Sequence, residues 1–168
     1  GDVAEANAEF TREIAGGTGQ LYGAEFVMNA HDGAGFARLR AGDARGAIAH
    51  FEEALALFPD HARSLVGLGA ALAMAGRTSE SAAAFSRAQA AVDALRQGGR
   101  AAEAGMAEAL LYATARRADE SVQCLAALLD RSEMPFTGWT IPIEPLLEPL
   151  RGTPAFQAVS ATLASRAR

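Results

Sequence analysis

Three histidines and one cysteine are the side chains of this chain best suited to metal binding or nucleophilic catalysis. Two histidines that bind one metal ion from a single helix lie four residues apart, and no two of His31, His50 and His61 have that spacing. We therefore expect ordinary surface histidines, with His31 beside Asp32 in a partly buried structural role. Cys124 has no evident His or Asn companion for nucleophilic catalysis, so we expect a small core residue within a helix.

The glycine-rich run GGTG at residues 16–19 invites comparison with phosphate-binding loops. A P-loop ends in a lysine followed by Ser or Thr, and all 15 basic residues of this chain are arginine. A dinucleotide-binding fingerprint follows a β-strand, and no strand is predicted before this run. The sequence thus predicts a loop between helices, and it predicts no cofactor, no metal site and no enzymatic activity.

The elements that position these residues are predicted to be α-helices throughout. Hydrophobic residues make up 50% of the chain but aromatic residues only 7%, because alanine, the strongest helix former, is so frequent. Gly33 and Gly35 are expected to kink the second helix, and Asp43 is expected to cap the third. Apolar spacing and the Gly and Pro breaks place helices at residues 2–15, 20–41, 44–58, 62–75, 78–96, 101–115 and 118–131.

The last part of the chain has a different composition, with five of the six prolines between Pro135 and Pro154. Residues 142–150 are expected to form one short helix at most. Thr153, followed by Pro154, predicts the start of a final helix. The single tryptophan, Trp139, is expected to pin this irregular tail to the body, with anchoring of a partner as the alternative.

Composition and charge exclude several classes of partner. The net charge is −5 and no basic cluster exceeds Arg116-Arg117, which disfavours nucleic acid. No apolar run approaches the roughly 18 residues that span a bilayer, so no membrane insertion is expected.

A lone cysteine forms no internal disulfide, which fits the cytoplasm and leaves the periplasm open. The use of arginine alone, with abundant Ala and Gly, suggests a bacterial genome.

A stretch in the first half of the chain matches itself 34 residues later, which is typical of helix–turn–helix repeats. The matching residues are small or aromatic: Gly35 recurs as Gly69, Gly42 as Gly76, Phe51 as Phe85 and Ala54 as Ala88. Small residues of this kind let helices cross closely, and the aromatic residue fills the gap to the next repeat.

These residues resemble the tetratricopeptide repeat family. The resemblance implies an all-α, right-handed superhelix of antiparallel helix pairs in a single domain, 1–168. His31 and Arg38 stand where the family usually has large apolar residues. In the second copy, Asp93 stands where the family usually has proline, so the second helix of that copy is expected to continue past this position. The implied segments are a partial repeat at 1–27, repeats at 28–61 and 62–95, a degenerate repeat at 102–135 and a Pro-rich C-terminal cap at 136–168.

The resemblance also implies a function, since the family binds partners in a concave groove lined by the first helix of each repeat. We expect a protein–protein interaction module or scaffold that binds a peptide or helix there, as part of a larger bacterial regulator. The alternative is a structural or self-associating domain whose groove is filled internally. The carboxylate-binding set of chaperone-binding members is absent. The predicted groove residues are Asn29, Asp32, Phe36, Arg40, Arg63, Val66, Met74, Met106 and Leu110.

Overall fold

A computed structural model describes residues 3–19, 22–132 and 137–166, and every regular element among these residues is helical. Leu21, Met134 and Pro135 of the sequence predictions lie outside the described residues. The chain divides into two compact units, residues 1–87 and 88–168. The α-helices are α1 (Val3–Gly16), α2 (Gly23–Arg40), α3 (Ala44–Leu57), α4 (Ala62–Met74), α5 (Thr78–Gln97), α6 (Ala101–Thr114), α7 (Ala118–Arg131) and α8 (Pro154–Arg166).

The predicted all-α fold is therefore confirmed, and most helix boundaries follow from local signals. Asp43 caps α3 as predicted, because its Oδ1 accepts a hydrogen bond from the backbone N–H of Gly46 at 2.9 Å. The helix α5 runs past Asp93 to Gln97, as the missing proline predicts. The helix α2 runs without a break through Gly33 and Gly35, where the sequence predicts a kink.

The turns inside the helix pairs share one backbone geometry. Gly42 and Gly76 adopt a left-handed conformation, with φ of 76° and 75°, directly after α2 and α4. In each turn two backbone N–H groups bond back to carbonyls of the last helical turn, which satisfies groups that a helix end leaves unpaired. Arg116 holds the same place after α6 with φ of 58°, although it lacks the steric freedom of glycine.

Close contact between glycine and phenylalanine sets the packing of the first unit. A Cβ atom added at Gly35 would lie 2.8 Å from the Phe51 ring, and one added at Gly69 would lie 2.7 Å from the Phe85 ring. Phe10 approaches Gly33 in the same way, at 2.5 Å, which supports α1 as the second helix of a partial repeat. Phe51 is fully buried and also lies against Gly67 of the following repeat.

In the second unit, α6 and α7 form another antiparallel pair. The hydroxyl of Ser121 donates to the carbonyl of Ala109 at 2.7 Å, just as Ser81 donates to Gly69 at 2.8 Å in the repeat before. Leu125 is fully buried at the place that Phe51 occupies in the first repeat. The pair of α6 and α7 therefore shares this hydrogen bond and this buried position with the preceding helix pairs.

The C-terminal segment packs on this pair. Residues 142–150 form parts of two 3₁₀ helices, Ile141–Ile143 and Pro145–Leu150, where one short helix was expected. The second of them packs on α6, and α8 packs on α7. Thr153 caps α8 as predicted, accepting from the N–H of Phe156 at 3.2 Å. Arg166 donates to the carbonyl of Leu129 at 2.8 Å, which joins the ends of α8 and α7.

The role expected for Trp139 is wrong. Its side chain is 66% exposed, whereas Ile141 and Leu147 are fully buried and anchor the tail. Ile141 and Leu129 both lie close to Gly138, so an aliphatic side chain contacts α7 where the tryptophan was expected to do so. In the described part of the chain, no helix is both long and apolar enough to cross a bilayer.

Candidate binding surface on the first helices of the repeats

The structure divides the nine predicted groove residues into exposed and buried sets. Asn29, Arg40 and Met74 are exposed, and Arg63 and Met106 are partly exposed. The remaining four lie inside the units to which they belong and are buried: Asp32, Phe36, Val66 and Leu110. Direct contact of these four with a ligand therefore requires that the surrounding side chains move.

Asp32 is the centre of a buried polar network between α2 and α4. Its carboxylate is fully buried, accepts from the Arg63 guanidinium, and accepts from the Ser64 hydroxyl at 2.7 Å. His61 continues the network, with its Nδ1 atom 2.6 Å from the Ser64 oxygen. Burial of a carboxylate without such partners is costly, so the network fixes the α2–α4 contact.

This network contains Asp, Ser and His but lacks the order of a catalytic triad. In a triad the histidine lies between the carboxylate and the hydroxyl, so that it takes the hydroxyl proton. Here Ser64 lies between Asp32 and His61 and is itself fully buried. The arrangement thus positions Arg63 and joins two helices.

Arg63 also covers Phe36. Its guanidinium carbon lies 4.2 Å from the centre of the Phe36 ring, a cation–π contact, and Phe36 packs edge-on against Phe51 at 4.9 Å. The Arg63 side chain remains 32% exposed while Phe36 is 1% exposed. At this point of the first unit the surface therefore presents a guanidinium and not an aromatic ring.

His31 and His50 form a pair between α2 and α3 that the sequence analysis missed. Their Nδ1 atoms are 3.2 Å apart, and their rings are tilted by 50°. Both side chains are partly buried, so the expectation that His50 is an ordinary surface residue is wrong. The spacing rule failed because it applies within one helix, whereas these residues face each other across two.

The pKa of each imidazole is lowered from its ordinary value. Burial, which disfavours the charged ring, is the main cause for both residues, and the Glu53 carboxylate opposes it. For His50 the neighbouring His31 and Arg38 lower the pKa further, while Asp43 opposes them more weakly. Neutral imidazoles are therefore favoured at this pair.

The second unit contains a cleft of about 540 Å³ beside Cys124. Arg96 and Glu108 form an ion pair on its wall, and the Cys124 sulfur lies 3.5 Å from the Glu108 carboxylate. Burial, assisted by Glu108, raises the pKa of the Cys124 thiol to about 11. A nucleophilic cysteine needs the opposite shift, so this thiol is poorly suited to nucleophilic attack. Cys124 is partly buried, whereas the sequence predicted a core residue.

Successive helix pairs, recurring glycine–aromatic contacts and identical turns define a helical repeat protein. Residues 34–94 match the model of the tetratricopeptide repeat family. Residues 34–94 therefore belong to the tetratricopeptide repeat family, whose members generally mediate protein–protein interactions or act as scaffolds. No curated protein and no solved structure matches the chain significantly.

Proposed function

We propose that this chain is a protein–protein interaction module that binds a peptide or helix along the exposed side of α2 and α4. The supporting observation is that residues at equivalent positions of α2 and α4, the first helices of two successive repeats, are accessible to solvent. Asn29 and Arg63 are one such pair, and Arg40 and Met74 are the other. A partner contacting both pairs would lie across two repeats.

The chemistry of these side chains favours a particular partner. Arginine binds carboxylates through two parallel hydrogen bonds, and methionine adapts its flexible side chain to varied apolar surfaces. Met74 is 52% exposed, so its side chain is available to a partner. A segment that alternates acidic and apolar side chains therefore fits this surface best.

The buried network beneath gives the surface a rigid base. Asp32 holds Arg63 in place, and Arg63 in turn covers Phe36. Fewer side chains then need to be ordered when a partner binds, which lowers the entropic cost of association. Phe36 supports binding from below and is not itself a contact residue in this proposal.

The experiment is selection of linear peptides from a displayed random library on the full chain, followed by calorimetry of the enriched peptides. Replacing both Arg40 and Met74 by alanine is expected to weaken binding by roughly tenfold or more, because two central contacts are lost. Arg45→Ala is the matched control, since Arg45 is an exposed arginine on α3. Equal weakening by the control, or no effect of the double variant, would count against the proposal.

A second candidate is a structural or self-associating domain with an internally filled groove. The burial of Phe36, Val66 and Leu110 by the chain's own side chains favours it. Sedimentation velocity across a concentration series distinguishes the two candidates. A sedimentation coefficient that rises with concentration supports self-association, and a constant monomer value together with peptide binding supports the first candidate.

A further inference from the structure

The paired histidines replace an apolar contact of the repeat. The residues equivalent to His31 and His50 in the next repeat are Leu65 and Ala84, which are 0% and 4% exposed. The equivalent positions of the second repeat therefore carry buried apolar side chains. An imidazole pair at this place gives up apolar burial, and packing between α2 and α3 does not require it.

The distance between the two ring nitrogens suits a shared metal ion. Imidazole nitrogens bind Zn²⁺ at about 2.0–2.1 Å, so two of them on one ion lie about 2.8–3.4 Å apart for bond angles between 90° and tetrahedral. The Nδ1 atoms of His31 and His50 are 3.2 Å apart. The separation of the two nitrogens thus already matches that of two imidazole ligands on one ion.

We propose that His31 and His50 form a two-ligand site for a first-row transition-metal ion that prefers imidazole, namely Zn²⁺, Ni²⁺ or Cu²⁺. The ion binds both Nδ1 atoms and joins α2 to α3. Without metal, one ring donates its Nδ1–H to the other. On binding, the donor ring changes tautomer and carries its proton on Nε2, so both Nδ1 lone pairs face the ion and no proton is released.

The surrounding charges are compatible with a cation. Arg38, the nearby positive group, is paired with Asp43 at 3.3 Å, which offsets its charge. The carboxylate of Glu53 acts on both rings and adds negative charge. Throughout the described residues, no three His, Cys, Asp or Glu side chains are grouped to hold a metal, so water completes the coordination. The site is thus open and exchangeable.

The test is titration of the chelator-treated full chain with NiCl₂ by calorimetry, together with thermal unfolding with and without the metal. We expect one ion per chain and a rise in the unfolding midpoint of roughly 3 °C or more at saturation, because the metal binds only the folded pair tightly. His31→Gln and His50→Gln are expected to abolish both effects. His61→Gln and Cys124→Ser are the controls, and both are expected to retain them.

Loss of binding in either control, or retention in His31→Gln and His50→Gln, would overturn the proposal. Absence of any binding to the unmodified chain would overturn it as well. If a variant fails to fold, a direct measurement on the unmodified chain still tests the site. In NMR spectra of the unmodified chain, substoichiometric Ni²⁺ should broaden the ring signals of His31 and His50 before those of His61. Broadening of His61 first contradicts the site.

Discussion

The hydroxyl of Ser121 donates a hydrogen bond to the backbone carbonyl of Ala109, 2.7 Å away, and so joins α7 to α6. The same bond joins Ser81 to Gly69 in the preceding repeat. Both serines are buried, and their acceptors are carbonyls within a helix. The bond thus recurs between α6 and α7, beyond residue 94, where the family match ends.

Replacing Ser121 by alanine should therefore destabilise the second unit. We expect a loss of about 1 kcal/mol in the free energy of unfolding, the usual net contribution of one such hydrogen bond. Urea unfolding followed by circular dichroism measures it. Ser86→Ala on the exposed face of α5 is the control and should leave the midpoint nearly unchanged. Similar losses in both variants would contradict a specific role for the bond.

Two glycine-to-alanine changes in helices should have opposite signs. Gly35→Ala places a Cβ atom 2.8 Å from the buried Phe51 ring, which Gly67 confines from the other side, so we expect a loss of about 1–3 kcal/mol. Gly105→Ala meets only ordinary contact with Leu128 at 3.7 Å. It should stabilise α6 by up to ~1 kcal/mol through helix propensity. Thermal unfolding of both variants measures these changes in stability. A change of the same sign in both variants would refute the packing argument.

Removing only the arginine of the buried Arg63–Asp32 ion pair should lower the free energy of unfolding more than removing both charges does. Arg63→Leu leaves a fully buried carboxylate that keeps its hydrogen bond from Ser64 but loses its cationic partner, and we expect a loss of about 3–5 kcal/mol. Adding Asp32→Asn to that variant removes the charge and should recover part of the loss. Urea unfolding of the single and double variants gives the coupling between the two residues.

The matched control for this pair is Arg77→Leu. Arg77, directly before α5, and Glu80, in its first turn, form an exposed ion pair whose charges water screens. We expect its unfolding midpoint to change little. If Arg77→Leu is as harmful as Arg63→Leu, the burial of Asp32 is not the reason for the loss.

The Cys124 thiol should react slowly in the folded protein. A pKa of about 11 in place of 9.0 means roughly a hundredfold less thiolate near pH 8. Alkylation by iodoacetamide, followed by mass spectrometry, should be much slower in native buffer than in urea. Glu108→Gln removes a negative neighbour and should lower the thiol pKa and speed the native reaction. Equal rates in buffer and in urea would contradict the shift.

The same shift gives stability a defined dependence on pH. Folding favours the protonated thiol, so this contribution is present below the unfolded pKa near 9.0 and is lost as the pH rises towards 11. The variant Cys124→Ser should lack this part of the alkaline decline. Urea unfolding at a series of pH values compares the two proteins.

Local signals in the sequence predicted most of the fold. Caps and helix ends depend on residues within about one turn of each other, so Asp43, Pro59 and Gly76 could be interpreted from the sequence alone. The continuation of α5 past Asp93 followed from one missing proline. These features depend on backbone conformation and backbone hydrogen bonds, which residues close in sequence determine.

The polar pairs between helices could not be predicted in the same way. The contact of His31 with His50 and that of Asp32 with Arg63 join residues 19 and 31 positions apart. Each depends on rotamers and on how closely two helices pack, which no local signal specifies. The burial of Phe36 beneath Arg63 was unpredictable for the same reason. The repeat pattern assigns both residues to the first helices of their repeats, but it does not specify which side chain covers the other.

The helix α5 shows how this array changes its spacing. The bond from Ser81 to Gly69 recurs as the bond from Ser121 to Ala109, and the turn at Gly76 recurs at Arg116, in each case 40 residues later instead of 34. The six additional residues fall between the pairs, in the extended end of α5 and the turn at Gly99. A change of length at the junction thus leaves the inside of the next pair intact. The helix pair, and not a fixed number of residues, is the unit that this chain repeats.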